Sequence, residues 1–168
     1  FFFFVEKVGS TELKISHIGR NAFIFASIVT TGICQTTRTV VSTLIGAGRN
    51  YELITTIKRL WVIAIVGVIV LTHGFILYPE LIAAMFFDEP QQIEMMVKTF
   101  STLFIAVLGF SSSQILLSTL EGAGGTKRAF AVEMLGAGSY FLSAWYLTSP
   151  INGGFRPIEE IWKVEWVY

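Results

Sequence analysis

Glu133 lies six residues beyond Lys127 in an otherwise apolar run, about 9 Å further along a helix. Gly136, Tyr140 and Ser143 follow at i+3, i+7 and i+10, so one face of that helix is small or polar. A carboxyl group partly removed from water holds its proton until a cation arrives to replace it. Glu133, with Tyr140 on its face, therefore reads as a group that exchanges a proton with a cation. Its alternative reading is a carboxylate near the membrane surface, paired with Lys127 or Arg128. Arg38 is the second such group. It precedes Arg49 by eleven residues, which places it near the middle of a span, facing protein or water rather than lipid. Gln35, with Asn21, Thr31 and Ser42, falls near the same face, which Ile24 and Ile28 interrupt. Arg38 could pair with Glu133, set the charge preference of a ligand, or snorkel to the surface. Gln114, beside Ser111, Ser112 and Ser113, either lines a cavity or hydrogen-bonds neighbouring helices.

Two copies of one phrase punctuate the elements that must hold these groups. Ser42-Thr43-Leu44-Ile45-Gly46-Ala47-Gly48 and Ser118-Thr119-Leu120-Glu121-Gly122-Ala123-Gly124 agree at six of seven positions, 76 residues apart. Each ends a long apolar run, and a glycine there stops a helix by adopting the left-handed conformation. Arg49, Lys58 and Arg59 follow the first copy; Lys127 and Arg128 follow the second. The connector 87–98 instead carries Asp88, Glu89 and Glu94 against Lys98, and residues 156–165 carry three acids against Arg156 and Lys163. Lys and Arg mark the cytoplasmic face, so both phrases read as helix exits onto that face.

The expected fold is all-α, a polytopic membrane helix bundle with four full transmembrane spans and partial spans at both ends. Phe1–Val5 reads as the tail of a preceding span, and Glu6–Lys14 as a polar connector turning at Gly9-Ser10-Thr11-Glu12, with Thr11 a candidate cap. Spans are expected over Ile15–Ile45, Leu60–Tyr78, Ile93–Leu120 and Ala129–Leu147, with Gly46–Lys58 as a loop and re-entry segment and Asp88-Glu89-Pro90 as a turn. The first exceeds what a ~30 Å hydrocarbon core needs and must tilt or project. Pro79 ends or kinks the second. Ser149–Gly154 reads as a loop, and Pro157 introduces a last helix over Ile158–Tyr168. Trp61, Tyr78, Trp145 and Tyr146 sit near expected span ends, as an interfacial belt does.

Composition agrees. Charged residues make up 14% of the chain, against roughly 25% in soluble domains, and the mean hydropathy is +0.65. The net charge is zero, which argues against a nucleic-acid partner. Cys34 is the sole cysteine, so neither an intramolecular disulfide nor a cysteine-rich metal site is expected.

Three stretches resemble the multidrug and toxic compound extrusion (MATE) transporters. They are Thr39-Val40-Val41-Ser42-Thr43-Leu44-Ile45-Gly46-Ala47-Gly48-Arg49, Phe87-Asp88-Glu89-Pro90, and Leu120-Glu121-Gly122-Ala123-Gly124-Gly125-Thr126-Lys127. Their spacing fits as well. The resemblance implies twelve helices in two halves, with residues 1–168 forming the C-terminal half from the end of helix seven to the start of helix twelve. It further implies a cell-membrane antiporter, in the bacterial inner membrane, coupled to H+ or Na+ and free of organic cofactors. Such a protein exports organic cations, drugs or other amphiphiles. Its partners would be membrane lipid, the small-molecule substrate and the N-terminal half of the same transporter. Some branches of the family carry an acidic cation-site residue on the helix leading into the second glycine phrase. The run Phe110–Leu117 has none, which departs from a sodium site in this half.

Other classes have weaker support. A flippase for lipid-linked saccharides shares the helical architecture but needs a wide cationic cavity for pyrophosphate, and Arg20 and Arg38 are few for that. An enzyme would need a nucleophile and a base. Gly109-Phe110-Ser111 lacks a companion histidine, and Gly122-Ala123-Gly124 lacks the preceding strand of a phosphate loop. His73, five residues from Tyr78, reads as an interfacial or packed histidine rather than a proton relay. Single cysteines in a Cys34→Ala background of the full-length protein test the topology. An impermeant maleimide applied to intact cells labels position 89 or 152 and spares 48 and 125; labelling at 125 with none at 89 reverses the orientation.

Overall fold

The computed structural model describes residues 10–148. Four long helices dominate: α1 (Ser10–Gly46), α2 (Leu53–Thr72), α5 (Pro90–Gly122) and α6 (Thr126–Thr148). A 3-10 turn (Asn50–Glu52) precedes α2, and the short α3 (Gly74–Leu77) and α4 (Pro79–Ala84) link α2 to α5. The expected stubs at Phe1–Val5 and Ile158–Tyr168, and the loop at 149–154, lie outside the described residues. Two segments, Asn50–Thr72 and Pro90–Gly122, are by themselves long and apolar enough to cross a membrane. α1 and α6 have the length, 37 and 23 residues, but carry more hydroxyl and charged groups. Several hydroxyls of α1 are satisfied on the helix itself. Thr31, Thr36, Thr39 and Thr43 each donate to the carbonyl four residues back, which is how polar side chains persist in a helix that cannot rely on water.

Both glycine phrases form the same cap. The Gly48 N–H donates to the Ile45 carbonyl and the Arg49 N–H to that of Leu44. The Gly124 N–H donates to Glu121 and the Gly125 N–H to Leu120 in the same pattern. Gly48 and Gly124 have φ of 71° and 81°, the left-handed conformation that glycine alone enters without strain. The repeated sequence is thus a repeated hydrogen-bond pattern.

α1 and α5 run parallel in tight contact. Thr30 and Ser111 share a buried 2.6 Å hydrogen bond, 81 positions apart, and Val41 meets Gly122 with the same offset. A Cβ on Gly122 would lie 2.7 Å from the Arg38 carbonyl oxygen and 3.0 Å from Val41 Cβ, so the absent side chain permits the approach. Small buried residues (Ala26, Thr30 and Thr37 on α1; Ser111 and Ser118 on α5) line the seam, as packing between helices in lipid requires. α2 crosses this pair through Ala64 and Val68, with Val29 of α1 against Gly67. At the opposite end from the glycine caps, Ile15, Phe75, Phe87, Met96, Phe100 and Leu103 form the largest apolar cluster. Phe75 and Phe100 stack there with centroids 4.7 Å apart.

Several boundaries move. α1 is already helical at Ser10, because Leu13 and Ile15 pack into that cluster and draw residues 10–14 of the expected connector into the helix; residues 6–9 of that connector lie outside the described residues. Thr11 is therefore inside the helix and not its cap. α2 begins at Leu53 and ends at Thr72, not over Leu60–Tyr78. The Schellman cap turns the chain within a few residues, so Lys58 and Arg59 belong to the second turn of α2. The extended tail predicted to Tyr78 is broken twice: His73 separates α2 from α3, and Tyr78, at φ −138° and ψ 46°, separates α3 from α4 with Pro79 at its first position. The His73 Nδ1–H donates to the Val70 carbonyl at 2.6 Å. Trp61 consequently lies well inside α2, and its indole N–H donates to Ser112 Oγ of α5 at 3.0 Å. That residue joins helices rather than an interfacial belt. α5 and α6 each start three residues before the expected position, and they end two residues and one residue beyond it.

The Thr30–Ser111 bond should be measurable. A double-mutant cycle with Thr30→Val and Ser111→Ala is expected to return a coupling of about 0.6 kcal/mol, at most ~2 kcal/mol, in reversible unfolding in mixed micelles.

Candidate functional site

The seam between α1 and α5 ends in an ion pair. The Arg38 Nε–H group contacts a carboxylate oxygen of Glu121, with the two side chains 41% and 25% exposed. Glu121, within the second glycine phrase, occupies the last turn of α5 and faces α1. Its neighbour Gly122 is the close-approach residue, so the backbone contact and the ion pair fix each other. The signal was present in the repeat: Ile45 against Glu121 is the single mismatch between the two phrases. Around the pair, Arg38, Thr39, Ser42, Glu121, Gly124 and Thr126 line an open cleft of about 500 Å³. It opens at the end bearing the glycine caps, which the positive-inside rule assigns to the cytoplasm.

This arrangement revises the setting of Arg38. Eight residues separate it from the end of α1 at Gly46, but α5 terminates beside it. Arg38 therefore sits where the shorter partner helix exits, not near mid-membrane, and its partner is Glu121 rather than Glu133.

Glu133 lies one helix away on α6. Along that helix, buried Ala129 and Ala144 alternate with half-buried Glu133, Gly136, Tyr140 and Ser143, whereas Phe130, Leu135, Phe141, Leu142 and Trp145 are more than half exposed. The face deduced from i+3, i+7 and i+10 spacing is the face turned toward the protein. The ion pairs among the described residues include Arg38–Glu121, Arg49–Glu52 and Lys98–Glu94, and none joins Glu133 to Lys127 or Arg128. Gln35 is exposed on α1, next to Thr31 and Thr39. Gln114 is half-buried on α5, while its serine neighbours are engaged: Ser111 with Thr30, Ser112 with Trp61, and Ser113 with the Phe110 carbonyl. The structure thus gathers Arg38, Glu121 and Ser42, sets Glu133 and Tyr140 together on α6, and leaves Gln35 and Gln114 separate from both groups. No cluster of His, Cys, Asp and Glu able to hold a metal occurs among the described residues.

Long helices with self-satisfied hydroxyls, small-residue seams and basic ends define a helical integral membrane protein. The MatE family model matches residues 1–146. The chain belongs to the MatE family of membrane transporters. No curated protein and no solved structure matches the chain.

Gly122→Ala tests the link between backbone approach and ion pair. Its Cβ would meet backbone at 2.7 Å, and overpacking of this kind costs about 1–3 kcal/mol. The variant is expected to unfold earlier in a thermal series, whereas Gly109→Ala, whose Cβ would meet nothing within 4 Å, is not. An unchanged midpoint for Gly122→Ala would show that the helices are not held this closely.

Proposed function

We propose that the protein exports organic cations or other amphiphiles across the bacterial inner membrane, in exchange for H+ or Na+. Glu133 is the coupling residue and Tyr140 lies beside it on the same face of α6. The observation that carries the reading is that inward face: a carboxylate among Ala129, Gly136 and Tyr140, with no ion-pair partner among the described residues. Antiport needs a group that releases its proton when substrate binds and regains it afterwards. A carboxylate held by Lys127 or Arg128 would resist that exchange, and Glu133 is not held. The absence of an acid over 110–117 on α5 favours H+ over Na+ in this half. Membrane lipid and the N-terminal half of the transporter would surround the exposed apolar faces of α2 and α6. The saccharide flippase has less to rest on, because Arg38, one of the two arginines available for a pyrophosphate cavity, is engaged by Glu121.

Glu133→Gln keeps size and hydrogen bonding but fixes the neutral state. Normal insertion, residual substrate binding and loss of uptake driven by an imposed pH gradient are expected in proteoliposomes. Glu133→Asp retains partial activity with a shifted pH optimum. Full gradient-driven transport by well-folded Glu133→Gln would remove the residue from the mechanism.

A further inference from the structure

The cleft at the capped end holds a carboxylate, a guanidinium and three hydroxyls in a space of about 500 Å³. Gly122 and Gly124 form part of its wall through their backbone. Arg38 is itself a planar, delocalised and weakly hydrated cation, chemically close to an organic cation. It is tethered to α1 and rests on the one carboxylate of the cleft. Both side chains remain partly exposed, 41% and 25%, so an incoming cation can reach the pair from the cleft, although the contacting Nε and carboxylate oxygen are themselves buried.

Resting on the transport reading above, we propose that Glu121 is the recruiting carboxylate for organic cations arriving from the cytoplasm, and that Arg38 is its built-in competitor. An incoming cation displaces the guanidinium from Glu121, and the hydroxyls of Thr39, Ser42 and Thr126 supply hydrogen-bond partners. Arg38 returns when the cation moves on. Lys127 and Arg128, on the first turn of α6 beside Thr126, repel any cation and keep the site weak. A weak site suits a group that must pass its ligand inward. This role is separate from that of Glu133, which lies about two turns further along α6.

The competition makes a prediction that a structural ion pair does not: the two neutralising variants shift cation affinity in opposite directions. The test uses full-length protein in proteoliposomes, with tetraphenylphosphonium as probe, read by equilibrium binding and by initial-rate transport. Arg38→Gln frees the carboxylate and is expected to lower Kd and KM about two- to fivefold, the size appropriate to a partly exposed pair. Glu121→Gln raises both by at least as much, and Glu121→Asp keeps values near those of the unaltered protein. A neutral amphiphile shows no shift in any variant, nor does Glu52→Gln shift the probe. Should Glu121→Gln fail to insert, Arg38→Gln decides alone, since releasing the carboxylate must tighten binding. Shifts of the same sign in both variants, no shift, or no probe binding by the unaltered protein would overturn the proposal. Opposite shifts in binding with no transport by the unaltered protein would uphold it and instead defeat the antiport reading.

Discussion

The close parallel packing of α1 on α5 is the constraint on which the rest depends. In lipid there is no hydrophobic drive to bring helices together, so association rests on backbone proximity and interhelical hydrogen bonds. Here small residues supply the first and the Thr30–Ser111 pair the second. Gly122 brings its helix against the Arg38 carbonyl, and only that proximity lets Glu121 meet the guanidinium of the same residue. α2 then has a fixed groove for Ala64 and Val68. The break at His73 and Tyr78 folds the following short helices over the opposite end, where Phe75 stacks on Phe100.

The two glycine phrases show how one local signal acquires two meanings. Their hydrogen bonds and left-handed glycines are the same, but the helices do not end level. The phrases are 76 residues apart in sequence, whereas positions facing each other across the seam are 81 apart. α1 therefore projects past α5 by about five residues, ~7.5 Å. Ile45 ends up 39% exposed on the projecting turn, where a hydrophobe costs nothing in contact with lipid or a partner. Glu121, at the matching position of the phrase, falls level with Arg38. Local sequence sets the cap; the register between helices sets the chemistry.

That distinction accounts for what could be read in advance. The helix stops at Gly48 and Gly124 were legible because left-handed glycine is a property of a few consecutive residues. The inward face of α6 was legible because Glu133, Gly136, Tyr140 and Ser143 report on a single helix. The start of α2 was not, because Lys58 and Arg59 look like loop residues until the tight cap forces helix to resume at Leu53. Trp61 was misplaced for the same reason. The partner of Arg38 was not legible either, since nothing within α1 states where α5 ends.

Charge placement follows from this geometry and bears on how a transporter could work. An arginine within a span is costly unless paired or hydrated, and α1 meets that requirement with a partner from α5 at the level where the latter exits. The pair satisfies Arg38 locally and leaves it no part in holding α6. α6 packs mainly on α5, through Ala129, Ala144 and the half-buried residues between them, and its opposite face is apolar and exposed. Glu133 lies on the inner face of that helix, without an ion-pair partner among the described residues. A carboxylate locked in an ion pair would change little on binding a proton, whereas an unpaired one changes both charge and local packing. The fold thus separates a charge paired across a helix seam from an unpaired carboxylate, and places the two on different helices.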